Sequence, residues 1–281
     1  MSNALRIAHG QFGRVALLDM DASLVRHAHP QCHVLLKARG ADTQFSVQDS
    51  LAELTDRNAV LINAWEPHAY VHDSQRARTT ILALYIEPRW LSCLRPNWAA
   101  SAGPGFFAQP GGVLTQKIRL LADAMARLML EEPWATTEQQ ALLGRLMVAV
   151  IERFTDWRNV SAPNSTRPVA SDWRVRRAIS VIRRDPGAVP DMELLGRASG
   201  LSRAHFFRLF SQETGLSPRV FANVLRLEQA MGEVLLGQRT MAELSDDLGF
   251  SAPAHFTRFF RDHAGTTPSE FRTIGRLQAM S

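Results

Sequence analysis

The chain has 281 residues, 46% hydrophobic and 21% charged, a balance that belongs to a folded chain and excludes an extended disordered one. Its formal charge is only +5, so a polyanionic partner is permitted without being demanded. Two isolated cysteines, Cys32 and Cys93, exclude a disulfide framework, a zinc finger and a cysteine-rich repair module.

The length predicts two domains, each able to bury a core. No apolar run approaches the roughly 18–20 residues of a membrane span, and the first residues lack the apolar core of a signal peptide. The expectation is a cytoplasmic protein with no membrane partner. Lys37 and Lys117 are the only lysines, so arginine supplies almost all the positive charge. Arginine forks suit phosphates and guanine edges, although genome base composition produces the same bias.

From about Arg14 to Glu87 the pattern is strand-like. Val34–Leu36, Thr43–Val47, Ala59–Ile62 and Thr79–Ile86 are short and rich in β-branched or aromatic residues, with turn residues between them. Several short strands predict a small β-sandwich or barrel. Within it, His27-Ala-His29-Pro30 and Asn63-Ala-Trp-Glu-Pro-His68 resemble a cupin barrel, in which a histidine pair faces a later histidine across the mouth. That resemblance implies a ligand pocket lined by His27, His29, Trp65 and His68. Metal-binding cupins add a carboxylate shortly after the pair; here Gln31-Cys32-His33-Val34 follows, and the nearest acid downstream is Asp42. The expected pocket therefore holds no metal or other cofactor and no catalytic residue, with His33 as the one substitute donor.

Two helices should follow the barrel. Leu114, Ile118, Leu121, Met125 and Leu128 recur at spacings of three and four, as do Leu142 or Leu143, Leu146, Val150 and Phe154. Pro133 separates them, and Thr136-Thr137-Glu138 offers a start signal for the second. The narrow seam of the first fits either the outside of the barrel or the same helix of a second subunit. The second fit makes the protein a homodimer. Arg158–Ser171 is polar, contains Pro163 and Pro168, and reads as a linker between a domain at 1–157 and one at 172–281.

After the linker the helix signals are dense. Asp172 can cap a helix that carries Val175, Ile179 and Ile182 and ends at Asp185-Pro-Gly. Met192–Phe221 and Met241–Phe271 then say nearly the same thing twice. Leu195 matches Leu244, Gly200 matches Gly249, and after one extra residue near Ser251 His205 matches His255, Phe206 Phe256, Arg208 Arg258, Phe210 Phe260, Gly215 Gly265 and Pro218 Pro268. Each copy reads as a short helix, a tight turn at glycine, and a second helix. Asp191 and Ser202 are expected caps in the first copy, and Ser217-Pro218 opens a helix running to Leu236. Thr240–Glu243 and Thr267–Glu270 are capping boxes. About seven helices make this domain all-α.

Such a repeat is a double helix-turn-helix. The residues after the leading helix's leucine, Gly196 and Ser245, are small, as the close crossing of the second helix requires. A helix from Pro218 to Leu236 is about 28 Å long at 1.5 Å per residue. That is near the ~34 Å separating successive major grooves on one face of DNA.

The run Leu244-Ser-Asp-Asp-Leu-Gly-Phe250, His255-Phe-Thr-Arg-Phe-Phe260 and Gly265-Thr-Thr-Pro-Ser-Glu-Phe-Arg272 resembles the AraC family of bacterial transcription regulators, over about Asp172–Arg276. The N-terminal β domain with two helices looks like the effector-binding and dimerisation half of such proteins. Gly196 and Ser245 depart from the alanine usual in the family. The resemblance implies a non-enzymatic, ligand-responsive activator that binds double-stranded DNA, contacts RNA polymerase and answers to a small-molecule effector. It assigns base contacts to Arg203, Ala204, Phe207 and Arg208 in one recognition helix and to Pro253, Ala254, Thr257 and Arg258 in the other. Arg219, Arg226 and Arg272 are the expected phosphate contacts. A metal-dependent cupin enzyme fused to a DNA-binding domain is the alternative.

Overall fold

The computed structural model describes residues 3–158, 172–188, 195–197 and 200–279. The expected linker lies, beyond Arg158, outside the described residues, as does the Asp191 cap. The N-terminal part is antiparallel β, as its β-branched segments predict. One sheet of six strands has the order β1 (Asn3–Gly10), β2 (Gly13–Met20), β8 (Thr79–Ile86), β3 (Cys32–Gly40), β6 (Asn58–Ile62) and β9 (Gly111–Val113). A second sheet of three strands has the order β5 (Ser50–Leu54), β4 (Thr43–Val47) and β7 (His68–Val71).

The large sheet buries both faces, and β8 shows how. Its Leu82, Leu84 and Ile86 point to one apolar cluster, and its Ile81, Ala83 and Tyr85 to another. The first cluster lies under α1 (Pro88–Leu94), a 3-10 turn at Pro96–Ala102, α2 (Gln116–Glu131) and α3 (Thr136–Phe154). Ile118, Leu121 and Met125 of α2 are buried there together with Leu143, Leu146 and Val150 of α3. The α2 seam is thus spent on the sheet and on α3, the first of the two fits its spacing allows: Ile118, Leu121 and Met125 are covered inside the chain and are not open to a second subunit. Thr136 does start α3, but Ala135 stands at the cap with no side-chain hydrogen bond.

The C-terminal part is helical: α4 (Trp173–Arg184), helical residues 195–197, α5 (Arg203–Thr214), α6 (Pro218–Leu236), α7 (Met241–Asp247), α8 (Pro253–Ala264) and α9 (Pro268–Ala279). Most caps fall where the sequence places them. Side-chain oxygens of Asp172, Ser202 and Ser217 accept from the N–H groups of Arg174, His205 and Val220. Thr240 and Glu243 form a reciprocal capping box, and Thr267 and Glu270 repeat it at α9. Gly215, Gly237 and Gly265 end α5, α6 and α8 in the left-handed conformation.

The two helix-turn-helix units are anchored differently. The first has a core of its own, in which Leu195, Phe206, Phe210 and Phe221 pack on Val175, Ile179 and Ile182 of α4. Leu244, Phe256, Phe260 and Phe271 of the second are continuous with the inner face of the large sheet, including Ile7, Leu18, Met20 and Tyr85. The sheet domain and the second unit share one core.

The two turn glycines are a direct test of this packing. Both have positive φ, +67° at Gly200 and +69° at Gly249. A Cβ at Gly200 would meet nothing within 4 Å, whereas at Gly249 it would stand 2.0 Å from the Gly187 carbonyl oxygen. Gly200→Ala should therefore cost about 1 kcal/mol, the conformational penalty alone. Gly249→Ala should cost at least about 1 kcal/mol more, because the α4–α5 connection must move. Urea unfolding of the two variants checks this; equal midpoints would contradict it.

Candidate nucleic-acid interface

The repeat in the sequence becomes a repeat in backbone bonding. In the first turn the Gly200 N–H donates to Arg197 O and Leu201 N–H to Gly196 O. In the second, Gly249 N–H donates to Asp246 O and Phe250 N–H to Ser245 O. The close crossing is visible at Gly196, where a Cβ would stand 3.3 Å from Leu201 O and 3.6 Å from the Phe206 Cβ. Its counterpart Ser245 is fully buried.

The helices after the turns present the same face. Over eight residues, 203–210 and 253–260, the burial sequence is identical: three exposed, one buried, one half-buried, one exposed, one half-buried, one buried. Arg203, Ala204 and Arg208 are exposed on α5, and Pro253, Ala254 and Arg258 occupy the equivalent exposed places on α8. Phe207 and Thr257 are half-buried at matching positions. Arg258 is 78% exposed and, among the described residues, forms an ion pair with Asp262 at 3.8 Å. Eight predicted contact residues thus sit on two corresponding helix faces, joined by the 19-residue α6.

The three predicted phosphate contacts separate. Arg219 is exposed at the start of α6. Arg226 is not: its guanidinium is buried, donates to Pro186 O and Gly187 O, and stacks 4.9 Å over the Phe250 ring. Burial lowers its pKa from the ordinary guanidinium value. Its place as a phosphate contact is corrected to a strut that ties α6 to the α4 turn and to the second helix-turn-helix. Arg272 donates to Val234 O and Arg239 O, binding α9 to the end of α6. Half-buried, it is likewise spent on the fold.

Of the expected pocket residues, His27, His29 and His68 come together, all buried. They do not sit on one strand. His27 and His29 precede β3, and His27 pairs with His68 in a single β-bridge through reciprocal backbone bonds of 2.9 and 2.8 Å. Trp65 turns away, with a φ of +63°, and stacks on Phe221 of α6 at 5.0 Å. His33 joins the cluster, 5.4 Å ring to ring from His29 and from His68, and lies flat on Tyr85. Desolvation holds His27, His29 and His33 well below the usual imidazole range and pushes His68 down to about 4.

Three further polar groups border this cluster, none marked by a local motif. Glu228 of α6 lies 3.9 Å from His29 Nδ1 and accepts from Gln31 Nε2 at 3.0 Å. His263 of α8 stands 6.3 Å from His27, ring to ring. Arg14 of β2 lies 3.9 Å over the Tyr85 ring and bonds to the Met231 sulfur of α6. A separate cleft of about 660 Å³ opens between the loops at Gln48, Trp65 and Phe107 and the end of α5 at Glu213–Gly215.

A family model described as a helix-turn-helix domain matches residues 195–274, the two turns and their helices. Residues 195–274 are an AraC-type helix-turn-helix domain. An uncharacterized HTH-type transcriptional regulator of Haemophilus influenzae is 30% identical to the chain over 101 residues, 36% of this chain and 34% of that protein. The match spans about a third of that relative's length. The whole chain has the fold of ToxT from Vibrio cholerae. An apo ToxT variant superposes with a TM-score of 0.58 at 10% identity, covering 96% of this chain and 99% of that one. ToxT with bound unsaturated fatty acid gives 0.52 at 9% identity, covering 98% and 95%. As in the ToxT fold, a β domain is followed by a C-terminal helical domain. No helix among the described residues is long and apolar enough to cross a membrane.

The corrected role of Arg226 makes a sharp prediction. Arg226→Ala should lower unfolding stability by about 2 kcal/mol, the scale of lost charged hydrogen bonds to buried carbonyls. The salt dependence of DNA binding should keep its slope. A slope smaller by about one with stability intact would restore the residue to the phosphates.

Proposed function

We propose that the protein is a transcription regulator organised as an effector domain at 1–157 and a DNA-binding domain at 172–281, in which one chain reads two successive major grooves. The observation that carries this reading is the identical exposure of α5 and α8, held apart by α6. Its length of 19 residues corresponds to about 28 Å, close to one turn of DNA. Arg208 and Arg258 are the equivalent exposed arginines, each suited to a bidentate guanine contact of about 1–3 kcal/mol. Arg203, Ala204, Pro253, Ala254 and Thr257 complete the reading faces, half-buried Phe207 meets a thymine methyl, and Arg219 holds a phosphate. The faces differ in chemistry, Arg203-Ala-His-Phe-Phe207 against Pro253-Ala-His-Phe-Thr257, so the site read by one chain is directional.

In this reading the β domain senses. The cleft between its loops and the end of α5 touches both domains, so an occupant interacts with each and biases their arrangement. The chain activates by contact with RNA polymerase, and any homodimer it forms uses a surface other than the α2 seam. It catalyses no reaction. ToxT offers a precedent for a small-molecule ligand, an unsaturated fatty acid bound to a protein of this fold. The lining here, with Arg26, Glu66 and Glu213 among its residues, is more polar than a fatty-acid tail requires and fits a small polar effector.

Selection of bound sequences from a random pool supplies an operator for the test. Arg258→Ala should weaken binding to that operator at least tenfold while leaving binding to random DNA nearly unchanged. Equal loss on both would make the residue a phosphate contact.

A further inference from the structure

We propose that His27, His29 and His68 form a binding site for one divalent transition-metal ion, set at the junction of the β domain with α6 and α8, and that its occupancy is felt by the DNA-binding helices. This inference rests on the regulator reading above and names a ligand class for the sensing domain. It runs against the expectation of a metal-free pocket, which was based on the missing carboxylate after the histidine pair.

The donor set is assembled in the manner of a metal centre. One ring nitrogen from each of the three histidines lies within 4.8 Å of the others. Nitrogens on a tetrahedral ion stand about 3.3 Å apart, so modest ring rotations bring the three to bonding distance. The outward nitrogens already have partners. His27 Nδ1 lies 2.6 Å from Val25 O and His68 Nδ1 2.8 Å from Glu66 O. Each contact calls for a proton on Nδ1 and leaves the Nε2 lone pair free, the orientation that outer partners give to metal-bound imidazoles.

His29 Nδ1 faces the Glu228 carboxylate at 3.9 Å. The acid absent from the sequence after the pair is thus supplied from α6, behind a ligand. His68 Nε2 and both nitrogens of His29 are buried without a hydrogen-bond partner among the described residues. Leaving such groups unmet costs about 1–3 kcal/mol each, and a bound ion relieves it. His33, also unpartnered at both nitrogens, stands next to the set, its ring stacked on Tyr85. Three imidazoles suit zinc, nickel, copper or ferrous iron over calcium or magnesium.

The surroundings explain why such an ion would matter. Glu228 lies two residues beyond Arg226 on α6, the helix that spaces the two reading faces. Val25 N–H, two residues before His27, donates to Asp262 O of α8 at 3.4 Å, and His263 packs near His27. Drawing the three histidines inward therefore pulls on contacts to both helices. His9 lies outside this cluster and is exposed, which makes it a control.

The test uses the full chain, stripped with chelator and loaded with zinc or cobalt. The expected result is one cobalt per chain after gel filtration, a visible cobalt spectrum of nitrogen ligation, and a higher melting temperature with zinc. His29→Gln and His68→Gln should lose the ion, Glu228→Ala should weaken its binding at least about tenfold, and His9→Gln should change nothing. Wild-type protein that retains no stoichiometric ion and shows no melting shift overturns the site, whether or not the variants fold. Zinc should also change operator affinity at least tenfold in wild type and not in His68→Gln. A loaded site with unchanged operator affinity overturns the coupling. The stoichiometry is read without DNA, so it fails separately from the regulator reading.

Discussion

The position of the second helix-turn-helix depends on one apolar contact, the burial of Phe256, Phe260, Leu244 and Phe271 in the cluster that also holds Ile7, Leu18, Met20 and Tyr85 of the large sheet. Full burial of side chains of this size contributes roughly 1.5–3 kcal/mol each, so the two surfaces cannot part without exposing several such groups at once. Arg14 reinforces the seam from the sheet side, over Tyr85 and against Met231. The first unit is freer: its phenylalanines close over α4, and it meets the β domain chiefly through Ala28 and the Trp65–Phe221 stack. The β domain is therefore joined unequally to the two helix-turn-helix units, through a shared core in one case and through a few ring and side-chain contacts in the other.

The helix between the units acts as a spacer because it is braced along its length. Ser217 and Gly237 fix its ends, and Arg272 ties its last turn to α9. Arg226 fastens its middle to the α4 turn, whose Gly187 carbonyl lies against Gly249 of the second turn. The charge of that buried arginine is satisfied by backbone carbonyls and an aromatic face, which trades a surface contact for rigidity. The two exposed helix faces are held in place by this brace.

The parts governed by nearest-neighbour chemistry were legible in the sequence. The caps at Asp172, Ser202, Ser217 and Thr240, and the turns at Gly200 and Gly249, depend on a few adjacent residues, so their letters carry their geometry. The β-branched strands β3, β4, β6 and β8 were equally plain. Strands β5 (SLAEL) and β9 (GGV) were not, because neither has strand propensity and both exist only through pairing with β4 and β6. Arginine chemistry misled at Arg226 and Arg272, since the residue type is the same in a groove and in a strut, and only tertiary packing separates them. The histidine pair announced a cluster, but Glu228 and His263 are more than 150 residues away in the chain, and no local pattern brings them to it.

The central claim is that one chain reads two successive grooves with unlike faces. Methylation-interference mapping of guanines on the operator, with the whole chain bound, tests it most directly. The account predicts two clusters of interfering major-groove guanines per subunit, about one helical turn apart and unequal in strength. A single cluster per subunit would contradict it.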